Sequence, residues 1–395
     1  MIELNHSVVD SSDEVNAQWL AFRSAPDGTE PLVLRTIDEL RAIGEGTWPR
    51  IACAFKQDSR AFDTLLLRLH YRRRAVHDER DLNNIRRFLT IGYLNTNDVR
   101  YFNEFLWFDS ELGSRYANAN THHFFKCLDS AGRHVFPLAS PEEVRAWISR
   151  HSALDSPACA CGSPLRVATL GPPVLFRQFC REIANDVDLV TQIHFPGTMR
   201  GLMKLGLGRS RVARLITRFS ALTRDCEILR CSPGEASVTR RIRQHRLDVG
   251  VHRLGFIIRP NLIDAFRIGI VNDHWGILPF VRGRSTPEYS FLFGMPLVVT
   301  MHFVDAGVDT GPIIKYCPVS IRKGETIRAL KRRLSRTKQQ RFVDVVRVLA
   351  GQAASARSVS TIPNRSEDGL QYFSMHPLLV RHVEREILAQ QPPSR

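Results

Sequence analysis

Short apolar runs bounded by turn residues alternate along this chain with stretches whose apolar positions recur every three or four residues, and that alternation sets the expected elements. From Leu32 to Phe55 the runs LVLRTI and RIACAF flank GEGTWP and read as short strands around a turn. Phe62, Leu65, Leu66, Leu69 and Tyr71 then interleave with Arg68, Arg72, Arg73 and Arg74, which predicts an amphipathic helix with a basic outer face. A second helix is expected from Leu82 to Tyr93. The aromatic stretch YFNEFLWF, Tyr101 to Phe108, reads as a buried helix or as the wall of a cleft, with the core as the expectation. HHFFKCLDSAGRHVFPL predicts a hairpin turning at Ser130, Ala131 and Gly132, in which the adjacent His122 and His123 point to opposite faces. The helix PEEVRAWISRH follows, with Ser140 as its expected cap. Residues 1–150 are therefore expected to form a smaller α+β domain.

The segment 151–164, HSALDSPACACGSP, lacks periodicity and is the expected linker. Beyond it the text changes to RVATLG (strand), PVLFRQFCREIAN (helix) and DLVTQIHF (strand). The unit recurs as CEILRC (strand), a helix capped at Ser232, LDVGVHRLG (strand), PNLIDAF (short helix) and RIGIVNDH (strand). Strands alternating with helices predict an α/β, Rossmann-like domain with a mostly parallel sheet over residues 165–345, whose ligands would lie beyond the carboxyl ends of the strands. The first strand is followed by LGPP and not by a glycine fingerprint, which disfavours a dinucleotide cofactor. Between them, GLMKLGLGRSRVARLITRF places Arg209, Arg211, Arg214 and Arg218 on a solvated basic face. Residues 346–395 read as a partly irregular extension, low in apolar residues over GQAASARSVSTIPNRSEDG.

At 395 residues the chain exceeds the size at which single cores stop growing, in keeping with two domains. No apolar run reaches the eighteen or so residues that a bilayer helix needs, and MIELNHSVVDSSDE has no apolar signal core, so a cytoplasmic protein without membrane contact is expected. Eight scattered cysteines predict reduced thiols, and Cys159 with Cys161 lacks the second pair of a zinc site, so no metal is expected. A formal charge of +15 favours anionic partners, which could be nucleic acid, a phosphorylated small molecule or a polyglutamyl tail.

The chemistry is concentrated between Arg267 and Pro312, RIGIVNDHWGILPFVRGRSTPEYSFLFGMPLVVTMHFVDAGVDTGP. Asn272, His274, Leu278, Pro279, Arg282 and Gly283 form N-x-H-x-x-x-L-P-x-x-R-G, and His302, Asp305, Gly307, Asp309, Thr310, Gly311 and Pro312 follow in order. This series closely resembles the 10-formyltetrahydrofolate-dependent formyltransferases over residues 165 to 340. When an amine attacks a formyl carbon, the oxygen becomes an oxyanion and the nitrogen becomes cationic, so a donor and a proton acceptor are needed together. Asn272 can be the neutral donor, and His274, two residues on along a strand, points to the same side. The resemblance implies that Asp309 orients the imidazole or relays protons. It also implies 10-formyltetrahydrofolate as co-substrate, in a cleft walled by Leu254, Gly255, Phe256 and Ile258 and by the loop of Asp305 and Gly307. A buried edge between strand and helix is the alternative for Phe256 and Ile258.

Gly276 departs from the serine common two residues after the histidine, and Trp275 before it either stacks on a substrate ring or plugs the core. Arg282 either pairs structurally or faces a substrate phosphate. His194, His245 and His252 carry no assigned role. The expected acceptor is a primary amine of a small molecule, phosphorylated or nucleotide-linked, such as an amino sugar nucleotide or a secondary-metabolite amine. Methionyl-tRNA, simple hydrolysis of the formyl folate, and a non-catalytic nucleic-acid-binding protein of the same fold are the alternatives. A homodimer is compatible with all of them.

Overall fold

The computed structural model describes residues 34–73, 76, 78–111, 138–151, 164–194, 227–230, 236–254, 257–354 and 359–388. The expected hairpin at Ser130–Gly132, linker residues 152–163, the Ser232 cap and the Arg209–Arg218 run lie outside them, while His151 ends a helix. The chain divides into two compact units, one of Met1–Pro141, Phe291–Gly294 and Tyr372–Ala389, the other of Glu142–Ser290, Met295–Gln371 and Gln390–Arg395.

In the first unit the described N-terminal residues are helical. α1 (Ile37–Arg41) is opened by a capping box in which the Thr36 side chain accepts from Glu39 N and the Glu39 side chain accepts from Thr36 N. α2 (Trp48–Gln57) holds the run read as the strand RIACAF, and LVLRTI ends in α1. The correction has a simple cause. Trp48, Ile51, Ala52 and Phe55 fall three to four residues apart and are all buried, so a helical stripe outweighs the short apolar run that imitated a strand. α3 (Asp63–Arg72), α4 (Glu79–Thr96) and α5 (Val99–Glu111) follow the predicted helices, and α5 contains YFNEFLWF as core. Phe55 packs against Phe62 at 4.5 Å and against Tyr101 at 5.1 Å between ring centroids. Buried Arg100 is matched by Asp98 at 2.6 Å and Asp63 at 2.7 Å.

The second unit begins with α6 (Pro141–His151), whose Trp147 Nε1 donates to Tyr316 Oη at 2.7 Å. The α/β order then runs through β1 (Arg166–Leu170), α7 (Arg177–Ile183), β2 (Asp188–His194), β3 (Glu227–Arg230), α8 (Ala236–Gln244), β4 (Val249–His252), α9 (Pro260–Ile263) and β5 (Gly269–His274). After β6 (Val281–Gly283) and α10 (Thr286–Leu292) come β7 (Val298–Phe303), β8 (Ile313–Pro318) and α11 (Ile327–Ala354). The seven-stranded sheet has the order β3-β2-β1-β4-β5-β7-β8. Its first five strands are parallel, whereas β7 is antiparallel to β5 and β8 to β7. Strands of the parallel part are apolar on both sides because helices cover both faces, which is why they read as continuous runs and not as alternating ones. One cluster joins Leu170, Ile193 and Ile270 of the sheet to Val238 and Ile242 of α8 and to Leu262 and Phe266 at α9.

α11 is longer than the sequence suggested and includes GQAA, the start of the segment expected to be irregular. Beyond it, β9 (Leu370–Tyr372) pairs with β6, and Leu370 N donates to Phe280 O at 3.0 Å. The chain then returns to the first unit as α12 (Pro377–His382) and a π-helical turn, Val383–Leu388. Asn103 and Trp107 of α5 both donate to Ser374 O, at 3.2 and 3.0 Å, while Asn103 Oδ1 accepts from His376 N at 2.7 Å.

Candidate active site

Alternation along β5 puts Asn272 and His274 on one face of the sheet and Asp273 on the other. Asp273 anchors the strand from behind. Its buried carboxylate lies 2.5 Å from Arg341 and 3.5 Å from Lys338 of α11, and it accepts from Trp275 Nε1 at 2.6 Å. Burial pushes that carboxyl up, but Lys338 and Arg341 outweigh burial and leave it lowered. Trp275, half-buried, is thereby tied to the strand end.

Asp309 reaches Asn272 and His274 from the β7–β8 loop. The loop is held by its own hydrogen bonds: Asp305 accepts from Gly307 N at 3.1 Å and from Thr310 Oγ1 at 2.7 Å. Asn364 Nδ2 adds a clamp, donating to Asp309 O at 3.0 Å and Gly311 O at 2.7 Å. The left-handed residue of this loop is Asp309 itself, with φ of 54°, a conformation that Asp tolerates better than most side chains. At Gly311 a Cβ would sit 1.9 Å from Phe303 O, so only glycine lets the loop close against β7.

The three predicted groups meet. Asp309 Oδ2 lies 3.2 Å from His274 Nδ1 and accepts from Gly283 N at 3.0 Å, while Oδ1 accepts from Asn272 Nδ2 at 3.4 Å. His274 Nε2 faces Val281 O at 2.8 Å. Both ring nitrogens thus face acceptors, an arrangement that an imidazolium satisfies and a neutral ring does not. Burial lowers the His274 pKa, yet the charge and hydrogen bond of Asp309 overcome it and the net shift is upward. Conversely, burial raises the Asp309 carboxyl, and His274 and His302 more than compensate, holding it well below the usual carboxylate range.

His302 was part of the sequence motif without an assigned role. It lies directly across from Asn272 in the β5–β7 register, so the two side chains share a face. Asn272 Nδ2 is 3.1 Å from His302 Nε2, and His302 Nδ1 is 2.7 Å from Phe303 O. His302 Nε2 thus lies between the Asn272 carboxamide and Asp309 Oδ1, 3.5 Å away. Asn364 and Asp273 were also missed. Gly276 is explained by space: a Cβ there would lie 2.7 Å from Thr286 Cβ and 2.9 Å from His274 Nε2.

The residues expected to hold folate divide. Ile258 is buried in the core cluster, and Leu254, partly buried, packs against the same cluster. The exposed residue of this segment is Ile257, at 73%. Gly255 and Phe256 lie outside the described residues. Asp305 and Gly307 shape the Asp309 loop. Arg282 takes the structural option, donating to Ser366 O at 3.0 Å and Gly369 O at 3.1 Å.

Residues 219–346 match the model of the formyl transferase family. Phosphoribosylglycinamide formyltransferase of Bacillus subtilis (strain 168) is 27% identical over 120 residues, 30% of this chain and 61% of that protein. Methionyl-tRNA formyltransferase of Elusimicrobium minutum (strain Pei191) is 29% identical over 126 residues, 31% of this chain and 38% of that protein. Among solved structures, glycinamide ribonucleotide transformylase 1 from Symbiobacterium toebii aligns at a TM-score of 0.38 and 19% identity, over 52% of this chain and 96% of that one. The chain thus spans less than two thirds of the length of these curated relatives. The matched residues 219–346, which carry Asn272, His274 and Asp309, are thus similar to the formyl transferase family.

Proposed function

We propose that this protein transfers the formyl group of 10-formyltetrahydrofolate to a primary amine of a small molecule. The observation that carries the reading is the convergence of Asn272, His274 and Asp309 beyond the carboxyl end of β5, in a stretch that matches the family. The amine nitrogen bonds to the formyl carbon, the carbonyl electron pair moves to oxygen, and collapse breaks the bond to the folate nitrogen, which takes up the proton that the amine loses. Asn272 is placed to donate to the developing oxyanion, because its 3.4 Å bond to Asp309 is the longest it makes and the first to yield to a ligand. Asp309 remains ionised and meets the cationic charge that grows on the attacking amine. His274 holds that carboxylate in place and adds positive charge beside the oxyanion. The carboxylate has few ways to turn away, since Gly283 N and His274 both hold Oδ2.

The small-amine acceptor is supported by the basic net charge, which suits a phosphorylated or nucleotide-linked molecule. The test is incubation with 10-formyltetrahydrofolate and a panel of amino sugar nucleotides, amino acids and charged tRNA, following tetrahydrofolate release. Turnover with a small amine and none with tRNA is the expected result. Formate release without any amine would point instead to a hydrolase. Asn272→Ala, His274→Ala and Asp309→Ala are each expected to cut turnover about a hundredfold or more, the scale of losing one oxyanion donor. Rates equal to wild type in all three would sink the site assignment.

A further inference from the structure

His252 ends β4, one residue past the paired Val251 and Val271, so it falls beside Asn272 on the neighbouring parallel strand. Asn272 in turn faces His302 on β7. Three polar side chains, His252, Asn272 and His302, thus form a row across the adjacent strands β4, β5 and β7, next to the His274 and Thr300 pair. Two members of the row are bonded to each other, and the third is not. His252 is buried, its Nδ1 accepts from Leu254 N at 3.4 Å, and its Nε2 has no partner among the described residues. A buried polar atom left unmatched is costly and uncommon in a folded protein, and such atoms gather where a ligand supplies the missing bond.

Because Nδ1 accepts, the proton of the neutral ring resides on Nε2, which makes that atom a donor. The charged and titratable groups facing the ring are Lys338, His302, Asp309 and Asp273. Burial, then the Lys338 charge, push the His252 pKa down to about 3, which keeps the ring neutral.

We infer that His252 is a ligand-binding residue of this site, donating from Nε2 to a carbonyl-type oxygen of the formyl-bearing co-substrate next to Asn272. The inference rests on the formyl-transfer reading above.

The experiment uses the full chain. Affinity for 10-formyltetrahydrofolate is measured by calorimetry for wild type, His252→Gln, whose amide N–H can stand in for Nε2–H, and His252→Phe, which keeps the ring volume without a donor. His252→Phe is expected to bind about tenfold more weakly and His252→Gln within a few-fold of wild type. If wild type binds and His252→Phe binds equally well, the inference is overturned while formyl transfer stands. If wild type itself does not bind the folate, both fall. Should His252→Phe fail to fold, imidazole nitrogen NMR of the wild-type chain decides: the Nε2–H resonance is expected to move on ligand addition, and an unchanged resonance in a saturated sample overturns the proposal.

Discussion

A carboxylate shared by two histidines gives this site a definite response to pH. His274 is shifted upward in the folded protein, so its contribution to stability is complete below its ordinary value of 6.5 and is lost as pH rises through the higher folded value. Asp309 is shifted downward, so its contribution is complete above its ordinary value of 3.8 and is lost as pH falls through the lower folded value. The stability gap between wild type and Asp309→Asn is therefore expected to be widest between these ordinary values, at about 2 kcal/mol, the scale of a hydrogen bond to a charged group. It should narrow on both sides, as urea melts at several pH values would show. In Asp309→Asn the His274 titration followed by NMR should also move down; an unmoved midpoint would mean that the carboxylate does not set the ring's charge. Close packing around that ring gives a second test. Gly276→Ser introduces a Cβ into the space held by Thr286 Cβ and His274 Nε2, and a destabilisation of about 1–3 kcal/mol is expected in thermal melts. A melting temperature equal to wild type would show that the pocket yields to the extra atoms.

At the scale of elements, β5 carries the proposed site and α11 holds it in place. Arg341 satisfies Asp273 through a pair 68 residues apart and also donates to Leu334 O at 2.8 Å. Arg341→Met leaves the buried carboxylate with Lys338 as its charged partner and Trp275 as its neutral donor, and is expected to cost about 3–5 kcal/mol. The double variant with Asp273→Asn should recover part of that loss in denaturant titrations; no recovery would argue that packing by Arg341 and not its charge matters. This pairing also marks where the sequence stopped being readable. Asn272 and His274 were legible because their two-residue spacing on a strand fixes a common face, and the β-α-β order was legible because strands and helices there differ in period. Asp273 sat between the two as an unremarked acid, since nothing local points to a partner on a distant helix. Asn364 was hidden for the same reason, 55 residues from the loop it clamps. RIACAF failed differently: six residues are too few to tell period 2 from period 3.6, and tertiary burial of Trp48, Ile51 and Phe55 decided it. Ile258 was apolar enough for either a cleft wall or a core, and the cluster under α8 and α9 claimed it.

At the scale of the whole molecule, the first unit is assembled from stretches far apart in the chain, Met1–Pro141, Phe291–Gly294 and Tyr372–Ala389. His70 stacks on Phe373 at 4.1 Å and Trp107 contacts His376 at 4.7 Å, so the helices of the N-terminal stretch depend on residues beyond 371. A chain ended at Gln371 should keep the seven-stranded sheet and lose the protease resistance of the first unit. Limited proteolysis with mass readout would check this, and an N-terminal helical unit that resists cleavage without Tyr372–Ala389 would refute it. The same arrangement sets an order of events on the ribosome, where the chain emerges from its N-terminus and domains fold as units. The N-terminal helices of the first unit must wait, unfinished, until Tyr372–Ala389 has been made, whereas the seven-stranded sheet can close earlier. Until that segment is made, the aromatic surface around Phe88 and Tyr101 lacks part of its cover.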